Sequence, residues 1–313
     1  MTAGMPILVY DVGGSHVSAA ACLKGGADYS LGPIANAPHP PEKTTDAFIR
    51  LLYTLGIDAL SGFEGVSGAE LAMPGPFDFG AGVSLMRHKL PYLYGVHLGQ
   101  LLEQSFGWQA GQVRFLHDAA AFLLGEIGAG AARDFSRAVG ITLGTGIGSA
   151  FAIDGRVVTE GPGVPPGGEI WNLPYEGGIV EDFISTRAIQ REYKCRAGEL
   201  LDVSKIAAMA ETDLNAAAVF VEFGYHLGQA LRMVVSEFAP QVVVLGGGIS
   251  RSPQLFLPAA QGQVEDLNFS LQTSMLKNNA PLVGAAVAWF NGSNGANAPS
   301  PQATAHAARA DAV

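Results

Sequence analysis

The chain of 313 residues is short of charge, of cysteine and of basic clusters. Asp, Glu, Lys and Arg make up only 15%, and 18 basic residues against 28 acids leave a formal net charge of -10. Because the basic residues are scattered, no stretch can neutralise a phosphodiester backbone, and no nucleic-acid partner is expected. Cys22 and Cys195 are too few and too far apart for a disulfide framework or a metal knuckle; both are expected to be plain buried or half-buried thiols. No charged leader with a long apolar run opens the sequence, and Asp11 interrupts its first apolar stretch. Neither signal peptide nor membrane span is therefore expected, which implies a cytoplasmic protein and makes Asn291-Gly292-Ser293 a chance glycosylation match. Apolar residues are plentiful at 48%, enough for two packed domains, and 41 glycines are the resource to be placed.

The glycines gather at strand ends. The run Ala138 to Phe151 reads as two strands joined through Gly144-Thr145-Gly146-Ile147-Gly148, a turn expected to be too tight for any side chain larger than hydrogen. Such a turn lets backbone N–H groups approach an anion, with the Thr145 hydroxyl in support; an ordinary glycine-rich hairpin would look the same. Pro6 to Ala20 repeats the idea, with Asp11 at the strand end before Gly13-Gly14-Ser15. A carboxylate cannot touch a phosphate directly, so Asp11 is expected to hold Mg2+ through water while Gly13 and Gly14 face the terminal phosphate. Two such hairpins in two halves of one chain point to a duplicated fold closing on one nucleotide.

Between them, Thr45 to Leu55 has apolar residues at helical spacing behind a Thr cap, and Asn36 to Pro41 reads as a loop. Gly68 to Met73 reads as a buried strand running into Pro74-Gly75-Pro76, a turn that either lines a cleft or only reverses the chain. Val96 to Phe106 reads as a short helix, and Arg87-His88-Lys89 as a solvated loop. Val113 to Leu116 is a strand entering a helix at His117-Asp118, whose small residues allow close packing; Asp118 suits a helix N-terminus and serves either there or as a cap. Further on, Gly161 to Asn172 is a loop with one buried acid, Glu169. Glu181 and Asp182 open a helix to about Tyr193, and Asp213 begins a long helix to Phe238. The strand Gln241 to Leu245 ends in Gly246-Gly247-Gly248, where a flat group such as adenine has room to lie on the backbone. Pro281 to Phe290 is a last apolar helix, and 291–313 is read as a flexible tail.

In order and spacing, seven segments resemble the ROK sugar kinases of the actin-like ATPase superfamily, from Ile7 to about Phe290. They are Asp-Val-Gly-Gly-Ser at Asp11, Pro-Gly-Pro at Pro74, Asp-Ala-Ala-Ala with Gly-Glu at Asp118, Leu-Gly-Thr-Gly-Ile-Gly at Leu143, Gly-Gly-Glu-Ile at Gly167, Glu-Asp-Phe-Ile-Ser at Glu181 and Leu-Gly-Gly-Gly-Ile-Ser at Leu245. The resemblance implies an α/β, two-lobed actin-like ATPase (ribonuclease H-like) fold with duplicated mixed-sheet domains around a central cleft. Its lobes would span 1–117 and 118–280, the last helix packing back on the first lobe. It implies that Asp118 is the general base, that Gly75, His117, Glu169, Asn172 and Glu181 line the sugar site, and that ATP and Mg2+ are required. Asp11, Gly13, Gly14, Ser15, Gly144, Thr145, Gly146, Gly148, Gly246, Gly247 and Gly248 would serve the nucleotide.

Two departures modify this picture. Asn172 stands where the family commonly has a zinc-ligating His, and the loop from Leu173 to Val180 has no cysteine, so no zinc is expected. His117 stands where the family has a sugar-contacting Asn; imidazole still offers a hydrogen bond, and altered sugar preference is expected. A hexose kinase with glucose as preferred acceptor is the expectation, with polyphosphate an open alternative donor and a homodimer possible. ROK-type regulators carry a helix-turn-helix domain ahead of the first phosphate motif, where this sequence has ten residues before Asp11, and a catalytically silent sugar binder would not need both phosphate turns.

Overall fold

The computed structural model describes residues 4–292. The tail reading for 291–313 therefore falls, past Gly292, outside the described residues. The strand β1 (Ile7–Val12) is apolar everywhere but Asp11 because it is buried on both faces: Leu8 and Tyr10 turn to one cluster, Ile7 and Val9 to another. It runs antiparallel to β2 (His16–Gly25), which pairs with β3 (Asp28–Leu31) and β4 (Ala35–Pro38). After α1 (Thr45–Ala59), capped by the Thr44 side chain accepting from Ala47 N–H, comes β5 (Ala69–Met73), parallel to β1. A small hairpin, β6 (Phe77–Asp78) and β7 (Val83–Ser84), and α2 (Leu98–Phe106) precede β8 (Val113–His117), parallel to β5.

The second sheet follows α3 (Asp118–Ala129). Its strands β9 (Arg137–Leu143), β10 (Ile147–Ile153) and β11 (Arg156–Val158) are antiparallel neighbours. A second small hairpin, β12 (Pro174–Tyr175) and β13 (Gly178–Ile179), leads to α4 (Thr186–Ala197), α5 (Val203–Met209) and the long α6 (Leu214–Phe238), capped by Asp213. Then β14 (Val242–Gly246) pairs parallel to β9, α7 (Leu257–Gly262) intervenes, β15 (Ser270–Thr273) pairs parallel to β14, and α8 (Ala280–Phe290) ends the described fold. The spatial orders are β3-β2-β1-β5-β8 and β11-β10-β9-β14-β15: an antiparallel meander followed by two parallel strands, built twice. This is the duplicated arrangement of the actin-like ATPase fold.

Two helices join the sheets. α3 lies on β9 and β10, α8 lies on β1, β2 and β5, and the two pack against each other. Glycine and alanine make that approach possible: a Cβ on Gly284 would sit 1.7 Å from the Ala121 carbonyl oxygen, and one on Gly125 2.0 Å from that of Ala280. Glu126 of α3 is fully buried, yet its carboxylate accepts from the N–H groups of Ala131, Met275 and Leu276 and from the Ser274 hydroxyl.

Several local readings are corrected. Ala35–Pro38 is an edge strand, not loop; the edge position needs no N–H from Pro38. Glu181 and Asp182 lie in a single 3-10 turn, Val180–Asp182, and the helix begins only at Thr186, where the Ser185 side chain accepts from Ala188 N–H. The short helix begins at Leu98, because Val83 bridges to His97. Cys195 is exposed on α4, whereas Cys22 is buried, and burial pushes its thiol up to about 11.

Candidate active site

Parallel strands bring their carboxyl ends to one edge of a sheet, and loops leaving that edge form clefts. In the first sheet Asp11 lies opposite Ala72 and Met73 opposite His117, so the Gly13–Ser15 turn, the Pro74–Pro76 turn and the start of α3 leave together. A Cβ on Gly75 would stand 3.8 Å from the His117 ring, and the Phe79 ring meets that imidazole edge-on with centroids 6.0 Å apart. His117 Nε2 is 3.3 Å from Asp118 Oδ1, and the same oxygen accepts from Ala119 N–H at 2.7 Å. Asp118 Oδ2 accepts from no described group. Burial, reinforced by the negative charge of Asp118, pushes the Asp11 carboxyl up to about 7.

The second sheet repeats the arrangement. β9 ends at Leu143 and β14 at Gly246, with Gly246 opposite Thr142, so the Gly144–Gly146 and Gly246–Gly248 turns are neighbours. The three glycines of the latter do different work. A Cβ on Gly246 would be 2.3 Å from the Phe122 ring, and one on Gly247, at φ 86°, 2.3 Å from the Leu143 carbonyl oxygen; only Gly248 faces open space. Packing thus accounts for two of the three, and the surface offered to a flat group is that of Gly247 and Gly248.

The phosphate-type turns are not as tight as expected. None of Gly13, Gly14, Gly144, Gly146 or Gly148 has positive φ, and a Cβ on Gly14 or Gly144 would clash with nothing, since both turns bend within ordinary backbone regions. At Gly146 a Cβ would be 2.4 Å from Glu181 Oε2, and at Gly148 2.5 Å from Thr142 Oγ1. Glu181 is itself committed: Oε2 accepts from Ile147 N–H at 3.2 Å and Oε1 pairs with Arg187 at 2.7 Å. Thr186, on the next turn, donates both N–H and hydroxyl to the Gly144 carbonyl, at 2.8 and 2.9 Å.

Glu169 is half-buried, not buried, in the loop after a 3-10 turn at Pro166–Gly168, and Trp171 Nε1–H donates to its Oε2 at 3.0 Å. Ser149 fixes that loop by donating to Gly168 O and accepting from Ile170 N–H. Asn172 is exposed. Between His117 and Ala120 on one side and Ser149, Thr159 and Gly168 on the other lies a small hollow. A larger hollow between α4 and α6 contains none of the candidate site residues, though Phe183 of the Glu-Asp-Phe-Ile-Ser segment lines it. Among the described residues, no group of three or more His, Cys, Asp or Glu side chains is placed to share a metal ion. No helix among them is long and apolar enough to cross a membrane. Sequence reasoning missed Thr186, Arg187, Ser149 and Trp171; only Glu-Asp-Phe-Ile-Ser, ending one residue before Thr186, pointed near the first two.

The family model described as "ROK family" matches residues 8–291. The chain is 28% identical over 178 residues to a putative fructokinase of Bacillus subtilis, covering 53% of this chain and 55% of that protein, and so spans about half the length of that relative. It is 28% identical over 247 residues to the glucokinase of Thermotoga maritima, covering 69% and 77%. The transcriptional repressor Mlc of Escherichia coli is 23% identical over 261 residues, covering 74% and 63%. Among solved structures, a ROK family glucokinase from Streptomyces griseus in complex with glucose and AMPPNP superposes with a TM-score of 0.74 at 21% identity, covering 90% and 98%. With nearly all of the described fold inside the matched span, the chain belongs to the ROK family.

Proposed function

We propose that the protein is an ATP-dependent sugar kinase that phosphorylates a hexose hydroxyl, glucose being the first acceptor to test. The observation that carries this reading is the sheet register that brings the turn after Asp11, the Pro74–Pro76 turn and the partly exposed Asp118 carboxylate to one edge of the first sheet. The sugar oxygen attacks the terminal phosphorus, the bond to the departing ADP oxygen breaks, and the hydroxyl proton passes to Asp118. Oδ2 is the oxygen free to take it, because Oδ1 is held by the Ala119 amide and lies beside His117. Amides of Gly14, Ser15, Thr145 and Gly146 cradle phosphate oxygens, and the surface of Gly247 and Gly248 carries the nucleoside.

The residues present fit Mg2+: Asp11 is a buried acid that feels the negative charge of a second, Asp118, and a divalent cation relieves that charge pattern. Asp11 would hold Mg2+ through water, and the ion would supply charge neutralisation on the phosphates. On the acceptor side, His117 lines the small hollow, and Gly75, Glu169 and Asn172 are the further groups to meet the sugar, with Glu169 steered by Trp171. Glu181 reaches a sugar only by sharing oxygens already used by Ile147 and Arg187, so it links sugar binding to the second phosphate turn. The lobes divide as 1–117 and 118–280, and closing them excludes water from the transfer.

An ADP-release assay over a panel of hexoses and acetylated hexosamines, with ATP or polyphosphate as donor, tests the reading. Turnover with at least one sugar, abolished by omission of Mg2+, is the expected result; no turnover with any pair contradicts it. The kinship with Mlc makes sugar-responsive repression the competing reading, and specific DNA binding by the purified chain without phosphorylation would favour it.

A further inference from the structure

The first glycine turn is held from outside by one residue that nothing so far has given a task. His39 follows β4 between Pro38 and Pro40, which hold its backbone extended, and its ring stacks on Phe48 of α1 with centroids 5.8 Å apart and planes at 21°. Its backbone N–H donates to Ser15 O at 3.0 Å, and its Nε2 lies 2.8 Å from Gly13 O. A carbonyl only accepts, so Nε2 carries the hydrogen. Nδ1 is buried and has no partner among the described residues, so the ring's single polar engagement is with the turn. Gly13 N–H donates in turn to His16 O at 3.0 Å, which closes the loop.

The consequence follows from peptide planarity. In a trans peptide the carbonyl and the next residue's N–H point opposite ways. Holding Gly13 C=O toward His39 aims Gly14 N–H away from the protein body, and that amide, like that of Ser15, is engaged by no described group. The second turn has the same device from a different source, since Thr186 takes Gly144 C=O and so aims Thr145 N–H outward.

We propose that His39 is a positioning residue for the nucleotide site, fixing the direction of the Gly14 amide as Thr186 fixes that of Thr145; the ligand class, a nucleotide phosphate, rests on the kinase reading. Two variants separate its donor from its packing. H39F keeps an aromatic ring on Phe48 and removes the donor, and H39Q returns an amide donor near the position of Nε2. Amide hydrogen exchange over residues 11–17, ATP·Mg affinity by calorimetry, sugar affinity and Tm are measured on wild type and both variants. H39F is expected to exchange faster over 11–17 and to bind ATP·Mg roughly two- to tenfold more weakly, with sugar affinity and Tm near wild type and H39Q recovering most of the loss. Unchanged exchange in H39F, an equal loss of sugar affinity, or no recovery in H39Q overturns the proposal. If wild type binds no ATP, the kinase reading fails by itself, and the exchange comparison still decides whether His39 directs the turn.

Discussion

The two glycine turns have one design and different equipment. Each closes with a hydrogen bond from its first glycine, Gly13 N–H to His16 O and Gly144 N–H to Gly146 O, and each has the carbonyl of that glycine pinned from outside. Only the first carries an acid on its strand; the second carries the Thr145 hydroxyl and leans on the Glu181–Arg187 pair. A repeated backbone solution therefore leaves the chemistry to the residues around it. On the kinase reading proposed above, the first turn would take a phosphate with its cation and the second a phosphate alone.

The comparison can be broken first at the carboxylate that belongs to neither turn. Asp118→Asn is expected to lower kcat by ~10^2 to 10^4 while nucleotide affinity holds, measured by steady-state kinetics beside calorimetry. A substitution in each turn then separates ligand approach from protein packing. Gly14→Ala meets no protein atom, so Tm should stay near wild type while kcat/KM for ATP falls by ~10^2. Gly146→Ala drives a methyl into Glu181, so it should lower Tm as well and weaken sugar binding through the displaced carboxylate. Equal Tm for the two variants would remove the distinction.

A smaller effect concerns buried acids. Glu126 is satisfied by four donors, whereas Glu70 on β5 is buried with neither oxygen hydrogen-bonded among the described residues. Burial pushes Glu70 up to about 8 against the pull of Arg114, as burial and Asp118 push Asp11 to about 7. Both acids keep protons in the folded protein that the unfolded chain has released. Their contribution to stability is complete below about pH 4 and is lost as pH rises toward 7 and 8. Stability measured by denaturant unfolding should therefore fall between pH 5 and pH 8. Glu70→Gln should flatten that slope and raise stability at pH 8 by roughly 1 to 3 kcal/mol. The smallest expected change is at the second turn's brace, where Thr186→Val keeps the backbone bond and should weaken ATP affinity only about two- to threefold.

Much of this architecture was legible in the sequence because it depends on local pattern. Apolar runs ending in glycine gave β1, β9 and β14, and the repeat of one hairpin gave the duplicated fold. The resemblance singled out Asp118, which lies at the start of α3. The reason for each glycine was not legible, because it lies in distant partners: Gly246 answers to Phe122, Gly146 to Glu181, and Gly14 to no protein atom at all. The same holds for His39 and Thr186, whose partners lie 26 and 42 residues away in sequence. The start of α4 was misplaced because acids at Glu181 and Asp182 mimic a first helical turn, whereas the capping side chain is Ser185.

A structure of the protein with a hexose, Mg2+ and a non-hydrolysable ATP analogue tests the central claim most directly. The account predicts the terminal phosphate against the Gly14 and Ser15 amides and a sugar hydroxyl within hydrogen-bond reach of Asp118 Oδ2, in line with that phosphorus. Nucleotide bound away from both turns, or a sugar whose hydroxyls all lie out of reach of Asp118, would contradict it.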